Sequence, residues 1–122
     1  MIVAIDGPAG AGKSTIAIAV AERLGFQLVD TGAIYRTVAL HAHRVGLPLD
    51  EGPALADIAR SREFAFELRG GKNAVICNGV EVSDEIRTPA ISQAASKVSA
   101  LPEVRAALLD VQRNIGRARD SV

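Results

Sequence analysis

Residues 7–15 read Gly7, Pro8, Ala9, Gly10, Ala11, Gly12, Lys13, Ser14 and Thr15. They match the phosphate-binding loop G-x-x-x-x-G-K-[ST] at all four specified positions. The glycines allow consecutive backbone N–H groups to point inward as an anion-binding nest, and a helix starting near Lys13 adds its positive N-terminal end. The Lys13 ammonium would reach the β- and γ-phosphates, while the Ser14 hydroxyl would hold Mg²⁺. We therefore expect all nine residues to bind the phosphates of a nucleoside triphosphate such as ATP.

A glycine-rich turn could match this motif by accident, but the flanking sequence argues against that interpretation. Residues 1–5 form a short apolar run that ends at the loop. Residues 14–24 follow with a helical pattern that places Ile16, Val20 and Leu24 on one face. The strand, loop and helix that the motif requires are therefore all predicted in the right order.

A second apolar run, residues 26–30, predicts another short buried strand. A strand, helix and strand within about thirty residues indicate a right-handed crossover and a parallel sheet, with ligands at the carboxyl ends of the strands. We expect an α/β fold of the P-loop NTPase type. Only two core strands are found, and a parallel sheet needs more to bury both faces. The expected fold is therefore incomplete at its C-terminus, as in the N-terminal portion of a larger kinase.

The next helix is expected to begin at Asp30 or Thr31 as cap and to run to about Val45. Tyr35 and Arg36 fall in its first turns, close to the mouth of the predicted sheet. A guanidinium there could face the ligand of the phosphate loop, or it could be an ordinary solvated charge. The residues alone leave both interpretations of Arg36 open.

Further along, the pattern changes from helical to alternating. Residues 64–68 alternate, and residues 75–77 and 80–82 flank Asn78-Gly79, a strong signal for a type I′ hairpin. Three more helices are predicted to begin near Pro53, Pro89 and Pro102, since proline suits the first helical turn. The predicted division is therefore residues 1–62 as part of a kinase core, and residues 63–122 as an inserted module of antiparallel strands and two helices.

Composition limits the possible partners. The 122 residues carry 14 basic and 14 acidic side chains, so no net charge favours nucleic acid or an anionic membrane. One cysteine, two histidines and no long apolar segment predict a cytoplasmic protein that binds small molecules. His41 and His43 are two apart on a helix, which disfavours a shared metal site. Cys77 is interpreted as a packed thiol, and Ser92, Ser96 and Ser99 as surface positions.

Two motifs together resemble bacterial cytidylate kinase, a nucleoside monophosphate kinase. They are Ile-Asp-Gly-Pro-Ala-Gly-Ala-Gly-Lys at residues 5–13 and the more specific Asp-Thr-Gly-Ala-Ile-Tyr-Arg at residues 30–36. The similarity covers nearly the whole chain, continuing through residues 78–79, 82–89, 94–96 and 102–105.

The resemblance implies transfer of the γ-phosphoryl group of ATP, with Mg²⁺, to CMP or dCMP. It implies that Thr31, Tyr35 and Arg36 line the acceptor site, with Arg36 directed at the acceptor phosphate. It also implies that Ser96 and Arg105 contact the cytosine. Lys13 and Arg36 are the expected catalytic residues, and the full-length protein is expected to be a monomer.

The chain departs from the family pattern in two ways. Thr31 stands where serine is common, which keeps the hydroxyl. The sequence also stops before the family's Gly-Arg-Asp segment, its lid and its adenine-contacting terminus, so we expect the 122-residue polypeptide alone to be poorly folded and inactive. Two alternatives stay open: a P-loop kinase for another acceptor, such as another nucleoside monophosphate or shikimate, and a non-catalytic nucleotide-binding fragment.

Overall fold

The computed structural model describes residues 13–69 and 72–118. Within these ranges the chain forms five α-helices, one short 3₁₀ turn and a three-stranded antiparallel sheet. In chain order the elements are α1 (Lys13–Leu24), α2 (Thr31–Val45), α3 (Gly52–Ser61), β1 (Phe64–Arg69), β2 (Lys72–Cys77), β3 (Val80–Glu81), the 3₁₀ turn (Glu85–Arg87), α4 (Pro89–Ser99) and α5 (Pro102–Ala118).

Helix α2 lies at the centre of the described structure, packed against α3 and α4. Asp30 is its N-cap and accepts a hydrogen bond from the backbone N–H of Ala33 at 3.1 Å. Gly46 ends the helix with a φ of 71°, a conformation that glycine adopts without strain. Ile34 and Val38 on this helix are fully buried.

The sheet has the strand order β1-β2-β3, and both pairs are antiparallel. Phe64 pairs with Cys77 across β1 and β2. At the β2–β3 turn, Asn78 has a φ of 50° and Gly79 a φ of 79°. Both values are positive, as the type I′ hairpin predicted from these two residues requires.

The two C-terminal helices complete the hydrophobic core. Thr88 caps α4 by accepting a hydrogen bond from the Ile91 N–H at 3.3 Å, with Pro89 in the first turn, as predicted. Helix α5 packs on α3 and buries Val104, Leu108, Val111 and Ile115. It continues to Ala118. Once a helix is anchored by packing, each added residue gains one backbone hydrogen bond without a new nucleation cost.

The predicted strand at residues 26–30 is instead an irregular segment in which only Gln27 forms a bridge. Side chains make much of its hydrogen bonding. The Gln27 amide accepts from the Phe66 N–H and donates to the Ile115 carbonyl, and the Asn73 amide donates to the Leu28 carbonyl at 2.8 Å. The predicted partner strand, residues 1–5, lies outside the described residues.

The predicted apolar stripe of α1 is also only partly buried. Ile16 is 53% exposed and Leu24 is 50% exposed, while Ala21 on the same helix is fully buried. Val45, the last residue of α2, is 72% exposed. Helical spacing predicts that these positions share one face of a helix, but it does not show how much of that face is buried.

Candidate functional site

An open cleft of about 330 Å³ lies between α2 and α4. Helix α2 contributes the side chains of Tyr35 and Arg36, and α4 contributes Ser96. These are three of the five residues predicted for the acceptor site. Four further positions line the same cleft: Gly32, Ser92, Ala95 and Ser99.

Arg36 is held next to the N-terminus of its own helix. Its Nη2 atom lies 3.7 Å from Oδ2 of Asp30, and its side chain is 29% exposed. Its Nε atom is buried and has no hydrogen-bond partner among the described residues. A guanidinium offers five N–H donors, and within the described residues the one ion pair at 3.7 Å leaves most of them available to an anion.

The serines of α4 present hydroxyl groups along one side of the cleft. Ser96 Oγ donates to the Ser92 carbonyl at 3.3 Å, and Ser99 Oγ donates to the Ser96 carbonyl at 3.0 Å. With their protons directed at the helix backbone, both oxygens keep lone pairs that can accept hydrogen bonds. The spacing of Ser92 and Ser99 from Ser96, four before and three after, would have revealed this shared face in the sequence.

The positive charge of Arg105 acts on the hydroxyl group of Tyr35. Burial raises the pKa of the Tyr35 hydroxyl above its ordinary value, and the positive charge of Arg105 opposes that rise. Tyr35 is therefore neutral at physiological pH and can donate a hydrogen bond. Arg105 lies on the exposed side of α5 and does not line the cleft itself, and Thr31 is exposed at the start of α2.

The structure describes three of the nine residues predicted to bind the phosphates. Lys13, Ser14 and Thr15 are the first three residues of α1, so the predicted helix start after the loop is confirmed. Gly7, Pro8, Ala9, Gly10, Ala11 and Gly12 lie outside the described residues.

Comparison with known proteins decides the family. The family model described as cytidylate kinase matches residues 3–122, which is nearly the whole chain. This chain belongs to the cytidylate kinase family. The cytidylate kinase of Symbiobacterium thermophilum is 49% identical over 119 residues, covering 97% of this chain and 53% of the relative. That of Geobacter sulfurreducens is 50% identical over 117 residues, covering 96% and 50% respectively, and that of Pasteurella multocida is 46% identical over 114 residues.

The chain spans about half the length of the curated cytidylate kinases that it matches. In the described ranges, no group of three or more His, Cys, Asp or Glu side chains is placed to hold a metal ion. No helix in the part of the chain that the structure describes is long and apolar enough to cross a membrane.

Proposed function

We propose that this chain supplies the phosphate-binding loop and the acceptor-nucleotide site of a cytidylate kinase, which transfers the γ-phosphoryl group of ATP to CMP or dCMP. The observation that carries the proposal is the cleft between α2 and α4, where Tyr35, Arg36 and Ser96 converge. These are residues that the family resemblance assigns to the acceptor nucleotide. Membership of the family and the names of the relatives support the choice of a cytosine nucleotide.

On the acceptor side, Arg36 is the group suited to the phosphate of the nucleotide. Its guanidinium is permanently charged, its side chain lines the cleft, and its Nε atom has no hydrogen-bond partner among the described residues. Ser96 offers an acceptor oxygen that suits the exocyclic amino group of cytosine, and Arg105 offers donors that suit its ring carbonyl. Tyr35 and Thr31 would complete the wall around the sugar and phosphate.

On the donor side, residues 7–15 would enclose the phosphates of ATP. Helix α1 begins at Lys13, which directly follows the last glycine of the motif in the sequence, and this supports an anion site at the positive end of the helix. Bound Mg²⁺ would neutralise charge on the β- and γ-phosphates, with the Ser14 hydroxyl as its ligand. Lys13 would stabilise the same charge as an acceptor phosphate oxygen bonds to the γ-phosphorus and the bond to the ADP oxygen breaks.

The sheet and the division into domains are proposed from the sequence. Residues 1–5 would belong to a parallel sheet of the P-loop type, with residues 1–62 as core and residues 63–122 as the acceptor module. The rest of the sheet, and the lid that neutralises the transferred group, would come from the part of the relatives that this chain does not span.

The activity is tested in a chimera in which this chain is followed by the C-terminal part of the Symbiobacterium thermophilum relative. We expect ADP formation that depends on CMP or dCMP. Arg36→Met should raise the KM for CMP and lower kcat, while Arg113→Met, a matched change at an exposed arginine of α5, should leave both unchanged. Lys13→Met should lower turnover by orders of magnitude with little loss of fold.

Three results would contradict the proposal. One is equal turnover of CMP and of a non-nucleotide acceptor such as shikimate. Another is a chimera that binds Mg-ATP but phosphorylates no cytosine nucleotide, which would favour a nucleotide-binding protein without this activity. The third is an Arg36→Met variant as active as the Arg113→Met control, which would place the acceptor phosphate elsewhere.

A further inference from the structure

The guanidinium of Arg36 folds back over the first turn of its own helix, and two residues define that position. Gly32 lies four residues before Arg36, so the two positions are on the same face of α2. A Cβ atom built on Gly32 would lie 3.1 Å from Arg36 Nη1 and 3.8 Å from Arg36 Cζ. The first of these distances is tighter than an ordinary van der Waals contact, so any side chain at position 32 would press on the guanidinium.

Asp30 bounds the same position from the other side. Its Oδ1 atom accepts the Ala33 N–H and so fixes the carboxylate to the helix backbone. Its Oδ2 atom is then left facing Arg36 Nη2 at 3.7 Å. The built Cβ of Gly32 would also lie 3.3 Å from Asp30 Oδ1, so the three groups are packed around one point.

The geometry is suited to orienting the Arg36 guanidinium while leaving N–H donors for a phosphate. A bidentate carboxylate–guanidinium pair uses two N–H donors at about 2.8 Å and would compete with a phosphate for them. Here one longer ion pair orients the guanidinium by charge, while the absence of a side chain at Gly32 gives it room. The buried and unpartnered Nε atom shows that the donors of Arg36 are not all used within the described residues.

Resting on the proposed function, we infer that Gly32 and Asp30 are positioning residues for Arg36. They set the direction in which its guanidinium meets the acceptor phosphate, and they act through Arg36. Glycine would therefore be required at position 32 for lack of a Cβ rather than for helix formation, since alanine is the better helix former.

The test is a double-mutant cycle in the same chimera, with kcat/KM for CMP as the readout. Gly32→Ala should lower kcat/KM by about three- to tenfold, because a displaced guanidinium loses part of a charge-assisted hydrogen bond to the phosphate. In an Arg36→Met background the same substitution should change kcat/KM by less than about twofold. Thermal stability of the Gly32→Ala variant should be equal or higher, since the helix gains alanine.

Asp30→Asn gives an independent arm, because asparagine is as good an N-cap as aspartate and only the charge is lost. We expect kcat/KM for CMP to fall by about two- to fivefold when Arg36 is present. With Arg36→Met it should stay constant or rise, since one negative charge near the phosphate has been removed.

Equal losses in both backgrounds would overturn the inference, because they would mean that position 32 or 30 meets the ligand or the fold directly. No loss from Gly32→Ala in the Arg36 background would overturn it as well. These results are distinct from failure of the proposed function, in which the unsubstituted chimera would not phosphorylate CMP at all and both claims would fall together.

Discussion

Gln27 connects three parts of the structure, and its replacement by leucine is a sharp test of that connection. Gln27 is 3% exposed and lies in the irregular segment before α2. Its Oε1 accepts from the Phe66 N–H of β1 at 3.4 Å, and its Nε2 donates to the Ile115 carbonyl of α5 at 3.4 Å. Leucine has a similar volume but can make neither bond.

The expected loss of stability comes from the two backbone groups that lose their hydrogen-bond partner, the Phe66 N–H and the Ile115 carbonyl. A buried N–H or C=O that loses its partner costs about 1–3 kcal/mol. Both bonds of Gln27 are long at 3.4 Å, so each is placed at the lower end of that range. The added apolar surface of leucine recovers about 1 kcal/mol. We therefore expect a net loss in the free energy of unfolding of about 1–2 kcal/mol for Gln27→Leu.

Amide hydrogen exchange in the chimera measures this effect where it arises. The Phe66 amide should exchange about tenfold faster in Gln27→Leu, as a loss of about 1.4 kcal/mol implies. Gln93→Leu is the matched control, because Gln93 is exposed on α4, and it should leave Phe66 protection unchanged. Equal protection of Phe66 in both variants would refute the reasoning, since the bond to Gln27 would then contribute nothing to the order of β1.

Two further predictions concern titration and the hairpin. Burial, followed by the charges of Arg62 and Arg44, lowers the pKa of His41. The unfolded chain therefore binds the imidazole proton more tightly, and the free energy of unfolding should rise with pH up to about 6.5. Urea midpoints between pH 5 and 7 measure this rise, and a His41→Gln variant with the same pH dependence as the unsubstituted chain would refute it. Gly79→Ala should destabilise by about 1–2 kcal/mol because φ is 79° there, and thermal unfolding checks this against Val80→Ala at the neighbouring exposed position.

Much of the described fold could be predicted from the sequence because its signals are local. Asn78-Gly79 requires one turn type, and Thr88-Pro89 marks a helix start whatever surrounds it. The segment at residues 26–30 was predicted wrongly as a strand for the opposite reason. Its apolar pattern does suit a buried strand, but its Leu28 carbonyl accepts a hydrogen bond from the Asn73 side chain. Its Gln27 side chain bonds the backbone of β1 and α5, and the local pattern reveals neither arrangement.

Part of the candidate site could also be predicted from the sequence. The resemblance identified Tyr35, Arg36 and Ser96, which the structure brings to one cleft. It did not identify Gly32, which lines the same cleft and lies against the Arg36 guanidinium. The sequence shows a glycine in the first turn of a helix, but only coordinates show what its missing side chain would touch.

The irregular segment and the cleft are joined through Asp30. Residues immediately before it are bonded to β1, β2 and α5, and the residues after it form the helix that carries Arg36. Helix α2 in turn packs on α4, which carries Ser96. The position of Arg36 relative to Ser96 therefore depends on side-chain hydrogen bonds made about nine residues before Arg36. It follows that Gln27→Leu, which touches neither the cleft nor any group proposed to bind nucleotide, should also raise the KM for CMP, whereas the Gln93→Leu control should not.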